Sequence, residues 1–159
     1  MLHFSAGNAN FFGETNKFSG IVKNKIVETP VGKFAVNENL ESENILELFA
    51  STSAADGAKV FKKCAACHSI SEGGSNKIGP ALWGVLGRKA GSISDYKYSK
   101  AMAAYEKPWS FEEMNGFLIK PKDWIKGTKM SFAGIKSAKE RAAVILYMNE
   151  NTNNPLPIN

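Results

Sequence analysis

Cysteine and histidine are scarce in this chain, with two of each among 159 residues. A zinc site needs about four ligands, and beyond Cys64, Cys67 and His68 the remaining candidate is His3, in a polar N-terminal stretch. Long apolar runs are also missing, and none approaches the roughly 20 residues that cross a bilayer. Met1 to Gly13 lacks the charged segment and apolar core of a signal peptide. Charge of one sign is in modest excess, with a net +5 and a pI near 9.2. That balance falls short of a nucleic-acid-coating composition, so no nucleic-acid partner is expected. It suits a soluble protein or one that docks on acidic partner surfaces.

What cysteine there is lies in one pentapeptide, Cys64-Ala65-Ala66-Cys67-His68. It reads C-x-x-C-H, the attachment signature of a covalent c-type haem. Residues three and four apart share one face of a helix. Cys64 and Cys67 can therefore reach two vinyl groups on one porphyrin edge and form thioethers. His68 can bring a neutral imidazole to the iron. A redox-active thiol pair or half of a zinc site would use the same residues. Covalent haem attachment in bacteria takes place outside the cytoplasm, so an export segment or membrane anchor ahead of residue 1 is expected.

Residues 1–52 read as a linker or N-terminal extension. His3 to Asn24 is rich in Asn, Gly, Ser and Lys without a sustained period. Ile26 to Val36 is β-branched but interrupted by Pro30 and Gly32, so at most a short extended segment is expected. Leu40 to Phe49 carries a broad apolar face and suits a short helix. Residues 53–152 read as the compact domain. Ser53 and Asp56 suit a helix start, and Gly57, Val60, Phe61 and Cys64 form a buried face. Glycine then dominates from Ser71 to Gly91, marking a long loop of the functional kind. Within it, the carbonyl of Pro80 is available to a ring nitrogen of His68, although an ordinary turn proline would look the same. Ser110-Phe111-Glu112-Glu113 and Ser137-Ala138-Lys139-Glu140 are capping boxes, and Pro121 suits the first turn of a helix. The last helix, from Ser137, is apolar around most of its surface and belongs in the core. Residues 153–159 form a tail.

A haem with one histidine needs a second ligand or an open iron, and that choice separates carrier from enzyme. Of the five methionines, Met1 is in the N-terminal stretch, Met114 and Met148 read as core, and Met102 sits in a short helical stretch. Met130 follows Gly127-Thr128-Lys129 in a loop and can be aimed at the iron. A thioether there favours reduced iron and raises the potential.

Gly57, Phe61, the C-x-x-C-H motif, Gly79-Pro80, Gly87-Arg88, Trp109, Pro121 and Gly127-Thr128-Lys129-Met130 together resemble the class I cytochromes c. The likeness is to the mitochondrial and alphaproteobacterial cytochrome c2 type, and it covers about residues 54 to 150. It implies an all-α fold with crossed first and last helices around one haem c, attached through Cys64 and Cys67. It also implies His68 and Met130 as axial ligands, with the Pro80 carbonyl bonded to His68. By position, Arg88, Tyr98, Trp109 and Thr128 become contacts of the haem propionates. Lys62, Lys63, Lys77, Lys122, Lys129 and Lys136 would surround the haem edge and meet acidic redox partners. Two departures stand out. Phe117 replaces a tyrosine near the methionine sulfur, and Met102 replaces an asparagine of a buried polar network.

The resemblance implies an electron carrier, not an enzyme, running from a cytochrome bc-type complex to a terminal cytochrome oxidase. It places the protein on the periplasmic side of a bacterial inner membrane in preference to a mitochondrial intermembrane space. Residues 1–52 loosely resemble the linker of membrane-anchored relatives, which implies a tether. The rival readings are an open-iron haem enzyme or gas sensor, and a non-haem thiol or zinc protein.

Overall fold

In the computed structural model, residues 26–29, 32–35 and 44–159 are described. The rest of the predicted N-terminal extension, His3 included, lies outside the described residues. The chain divides into two units, Met1–Glu41 and Ser42–Asn159. In the first, strand β1 (Ile26–Thr29) pairs antiparallel with β2 (Gly32–Ala35), Ile26 opposite Ala35 and Thr29 opposite Gly32. The β-branched residues favour strand, and Pro30, which has no amide hydrogen for a ladder, falls between the two. The single extended segment expected there is thus a strand pair.

The second unit is built from helices and loops. Its helices are α1 (Ile45–Phe49), α2 (Ala54–Phe61), α3 (Lys100–Tyr105), α4 (Phe111–Ile119), α5 (Pro121–Trp124) and α6 (Ala138–Glu150). No described helix is long and apolar enough to cross a membrane. Most begin on a side-chain cap. Ser53, Ser99, Ser110 and Ser137 accept from the amides of Asp56, Met102, Glu113 and Glu140 at 3.1–3.2 Å, each bond worth about 1 kcal/mol. Helix α5 instead starts on Pro121 without a side-chain cap. Both capping boxes are only half made. The carboxylates of Glu113 and Glu140 turn away to partners elsewhere, Glu140 to Lys63 at 3.3 Å.

The architecture rests on α2 crossing α6. A β-carbon added at Gly57 would lie 1.9 Å from the carbonyl oxygen of Ala143. Only glycine lets the helices come this close. Around that contact Val60, Phe61, Val144 and Ile145 are buried, and the Phe61 ring meets Tyr147 at 5.4 Å. Each such side chain contributes about 1.5–3 kcal/mol on burial. Helix α1 belongs to the same core. Ile45 is 2% exposed, and Phe49 sets its ring edge-on to Phe111 at 5.0 Å.

Two polar residues of α6 are buried, and the apolar reading of that helix did not anticipate them. Arg141 donates to Asn115 Oδ1 at 2.7 Å and to the carbonyls of Ile135 and Lys136 at 2.8 Å, tying α6 to α4 and the chain before it. Asn149 exchanges two hydrogen bonds of 2.9 Å with the backbone of Leu156, which holds the tail. Both are paired, as burial of polar atoms requires.

Gly57→Ala is expected to lower the unfolding free energy by about 1–3 kcal/mol, the usual range for an overfilled interface. The check is a urea titration followed by far-UV circular dichroism, and an unchanged midpoint would show that the helices part at no cost.

Candidate haem site

Helix α2 carries the motif into place. Past Phe61 the chain keeps turning, with the Cys64 and Ala65 amides bonded to the Phe61 carbonyl at 2.8 and 3.0 Å. The amides of Cys67 and His68 then bond the Cys64 carbonyl at 3.0 and 2.9 Å. One helical turn therefore holds both thiols and the imidazole in a fixed relation. Both cysteines are half-buried and are not joined to each other.

The glycine-rich loop returns to this turn. The amide of Gly79 bonds the Cys67 carbonyl at 2.8 Å, and His68 Nδ1 lies 2.7 Å from the carbonyl oxygen of Pro80. A carbonyl can only accept, so Nδ1 carries the proton and Nε2 keeps its lone pair for a metal. Gly79 makes the approach feasible, since a β-carbon there would sit 2.2 Å from His68 Cε1. Burial pushes the His68 imidazole below its ordinary value, and the bond to Pro80 opposes that shift. The ring is thus neutral, as a ligand must be.

Burial pushes the Cys64 thiol up to about 11. Redox-active C-x-x-C pairs need the opposite shift. Among the described residues, no group of three or more His, Cys, Asp or Glu could hold a metal ion. The redox-thiol reading finds no support in the Cys64 shift.

Met130 lies half-buried beside the core that also receives Cys64, Leu82, Met102 and Phe132. Its amide bonds the hydroxyl of the buried Thr128 at 3.3 Å. The next side chain back reaches further. Lys129 Nζ donates to the Lys97 carbonyl and sits 4.4 Å above the Tyr96 ring. Tyr96 in turn donates to the Ile78 carbonyl at 2.7 Å. This tie from the methionine loop to the histidine loop was missed in the sequence, where only the closeness of Tyr96 to Tyr98 pointed to it.

Arg88 and Trp109 are brought together by their backbones, the Trp109 amide bonding the Arg88 carbonyl at 2.9 Å. Arg88 gives N–H bonds to the carbonyls of Ala81 and Trp83 at 3.0 and 3.1 Å, which leaves further donors of its fork. Trp109 is 6% exposed and stacks on the Tyr105 ring at 6.1 Å. Tyr98 lies near enough to Arg88 for its phenol to act on the guanidinium electrostatically, and its hydroxyl accepts from the Ile93 amide at 3.3 Å. Phe117, buried against Trp109 at 5.0 Å, brings no hydroxyl. A half-buried guanidinium with donors left over suits an acidic group inside the protein. The residues present therefore fit a haem with its carboxylates turned inward.

An all-helical fold with this motif and this histidine geometry defines a c-type haem protein. The family model for cytochrome c matches residues 54–152. The cytochrome c homolog of Rickettsia prowazekii is 46% identical over 108 residues, covering 68% of this chain and 62% of that protein. The cytochrome c of Theileria annulata is 50% identical over 97 residues, or 60% of this chain and 84% of that one. Among solved structures, cytochrome cH from Methylobacterium extorquens superposes with a TM-score of 0.58 at 36% identity, covering 62% of this chain and 98% of that one. The chain belongs to the cytochrome c family, and Cys64, Cys67 and His68 are its attachment motif for one covalent haem c. This chain spans less than two thirds of the rickettsial relative's length.

Gly79→Ala is expected to drive the imidazole off its carbonyl and to cut the yield of covalently attached haem severalfold. Haem peroxidase staining after denaturing electrophoresis measures it. A full yield would mean that the loop yields freely around His68.

Proposed function

We propose that this chain carries single electrons between respiratory complexes, using one haem c with His68 and Met130 as its axial ligands. The observation that carries this reading is the His68–Pro80 bond at 2.7 Å, joined to a methionine loop anchored through Thr128 and Lys129. The haem supplies the one-electron chemistry, and the chain holds it fixed. Pro80 orients His68 and strengthens it as a donor. Thr128 sets the course of the backbone at Met130. Arg88 and Trp109 offer N–H donors, and Tyr98 and Thr128 offer hydroxyls, to the propionates, whose burial would otherwise be costly. Phe117 and Met102 make the surroundings less polar than in relatives with tyrosine and asparagine, which alters the potential.

Residues 53–152 form the haem domain in this reading, with residues 1–52 an extension and 153–159 a tail. The donor is a cytochrome bc-type complex and the acceptor a terminal oxidase. Both are met through acidic surfaces that face Lys62, Lys63, Lys77, Lys122, Lys129 and Lys136. The rickettsial relative is bacterial, which supports a periplasmic setting, and a tether to the inner membrane belongs to the same proposal.

The ferric protein is expected to show the sulfur-to-iron charge-transfer band, and the reduced protein to bind carbon monoxide slowly. Met130→Ala should abolish the band and make carbon monoxide binding rapid. A native protein without the band, binding carbon monoxide at once, would instead be an open-iron enzyme or gas sensor.

A further inference from the structure

We propose that Glu113 is a positioning residue for Met130, acting through Trp124; this rests on the reading of Met130 as a ligand. In sequence Glu113 completes a capping box, and its carboxylate should reach back to the first turn of α4. It does not. The Tyr105 hydroxyl donates to its Oε2, Trp124 Nε1 donates to the same oxygen at 3.1 Å, and Lys107 Nζ lies 2.9 Å from Oε1. Trp124 Nε1 is also 3.0 Å from the Tyr105 hydroxyl oxygen. A single carboxylate thus joins α3, the segment leading into α4, and α5.

Helix α5 is the element that gains most. It is four residues long and has no side-chain cap, so it cannot hold itself, because a first helical turn costs more order than its bonds return. Its place is set by what Trp124 touches. The indole lies on α4 where Gly116 stands, and a β-carbon there would be 2.4 Å from Trp124 Cη2. A glycine inside a helix costs about 1 kcal/mol relative to alanine, and here it clears space for that ring. From Trp124 the chain passes to buried Ile125, whose carbonyl accepts from the Thr128 amide at 3.1 Å. Thr128 then holds the amide of Met130. The anchor at Glu113 therefore reaches the ligand loop in a few bonds.

Burial raises the Glu113 carboxyl, but the bonds from Tyr105, Lys107 and Trp124 outweigh it and hold the group below the usual carboxylate range. It stays ionised at neutral pH and able to accept from all of its donors. Glutamine keeps the size of the side chain but loses the charge and gives up one acceptor oxygen for an N–H₂ donor.

The test is competition by imidazole in the ferric holoprotein, followed by loss of the sulfur-to-iron band. Imidazole enters only when Met130 leaves, so its apparent affinity reports how well the loop is held. Glu113→Gln is expected to bind imidazole about tenfold more tightly than the native protein, which corresponds to about 1.4 kcal/mol. Trp124→Phe, which keeps a ring but loses the N–H, should shift the same way and carries the test if Glu113→Gln fails to fold. Lys107→Ala removes a contact whose lysine end is exposed, leaves the Tyr105 and Trp124 bonds to Glu113 in place, and should stay within about twofold of native. A merely structural Glu113 would lower the urea midpoint and leave the imidazole affinity unchanged. Native affinity in both Glu113→Gln and Trp124→Phe overturns the proposal, as does a Lys107→Ala shift equal to that of Glu113→Gln. A native protein that lacks the band overturns the Met130 reading and this proposal together, whereas an intact band with unmoved affinities overturns this proposal alone.

Discussion

The contact of Gly57 with the Ala143 backbone is the constraint from which the haem site follows. The motif has no element of its own and rides on the last turn of α2, so Cys64, Cys67 and His68 are placed only as well as α2 is placed. Helix α6 does that placing. The close approach at Gly57 sets the crossing, Phe61 against Tyr147 sets its depth, and the Lys63–Glu140 pair adds a weak tie at the motif's edge. The pair is half exposed on both sides and contributes little. Packing without β-carbon interference, and not charge, fixes where the haem is attached.

The two faces of the site are then held in unlike ways. On the histidine side the order is local, with Cys67, His68, Gly79 and Pro80 bonded across one short loop. On the methionine side it is assembled from distant parts, including Thr128, the Lys97 carbonyl, Tyr96 and the Trp124 ring on Gly116. The Tyr96–Ile78 bond, with Lys129 over the Tyr96 ring, ties the two loops to each other.

Much of this was legible in the sequence because its signals are local. The C-x-x-C-H spacing, the serines at helix starts, Pro121 and the Gly57–Phe61 face all state their roles within one or two turns, and the helices begin where they indicate. Ligand placement was harder to read. Taken alone, the Gly79-Pro80 stretch reads as an ordinary turn, and it took the wider resemblance to imply the bond to His68 that the fold shows. Arg141 and Asn149 sat in an apolar pattern that gave no sign of their buried bonds. The Tyr96–Lys129 tie joins residues far apart in sequence, and no periodicity reports such a contact.

The capping boxes show why a local signal can be right about structure and silent about function. Ser110 and Ser137 both cap their helices, yet the glutamates at the third position serve other ends. A serine alone satisfies the amide, so the glutamate is free to answer whichever donors the fold presents: Lys63 for Glu140, and Tyr105, Trp124 and Lys107 for Glu113. The same logic bears on the basic surface. Lys63, Lys77 and Lys129 each give their charge to an acceptor within the chain, so their heads are oriented before any partner arrives. Docking then loses less side-chain freedom. Lys77 and Lys129 also brace the chain on either side of the site, Lys77 by its bond to the Ala65 carbonyl and Lys129 by its bond to the Lys97 carbonyl.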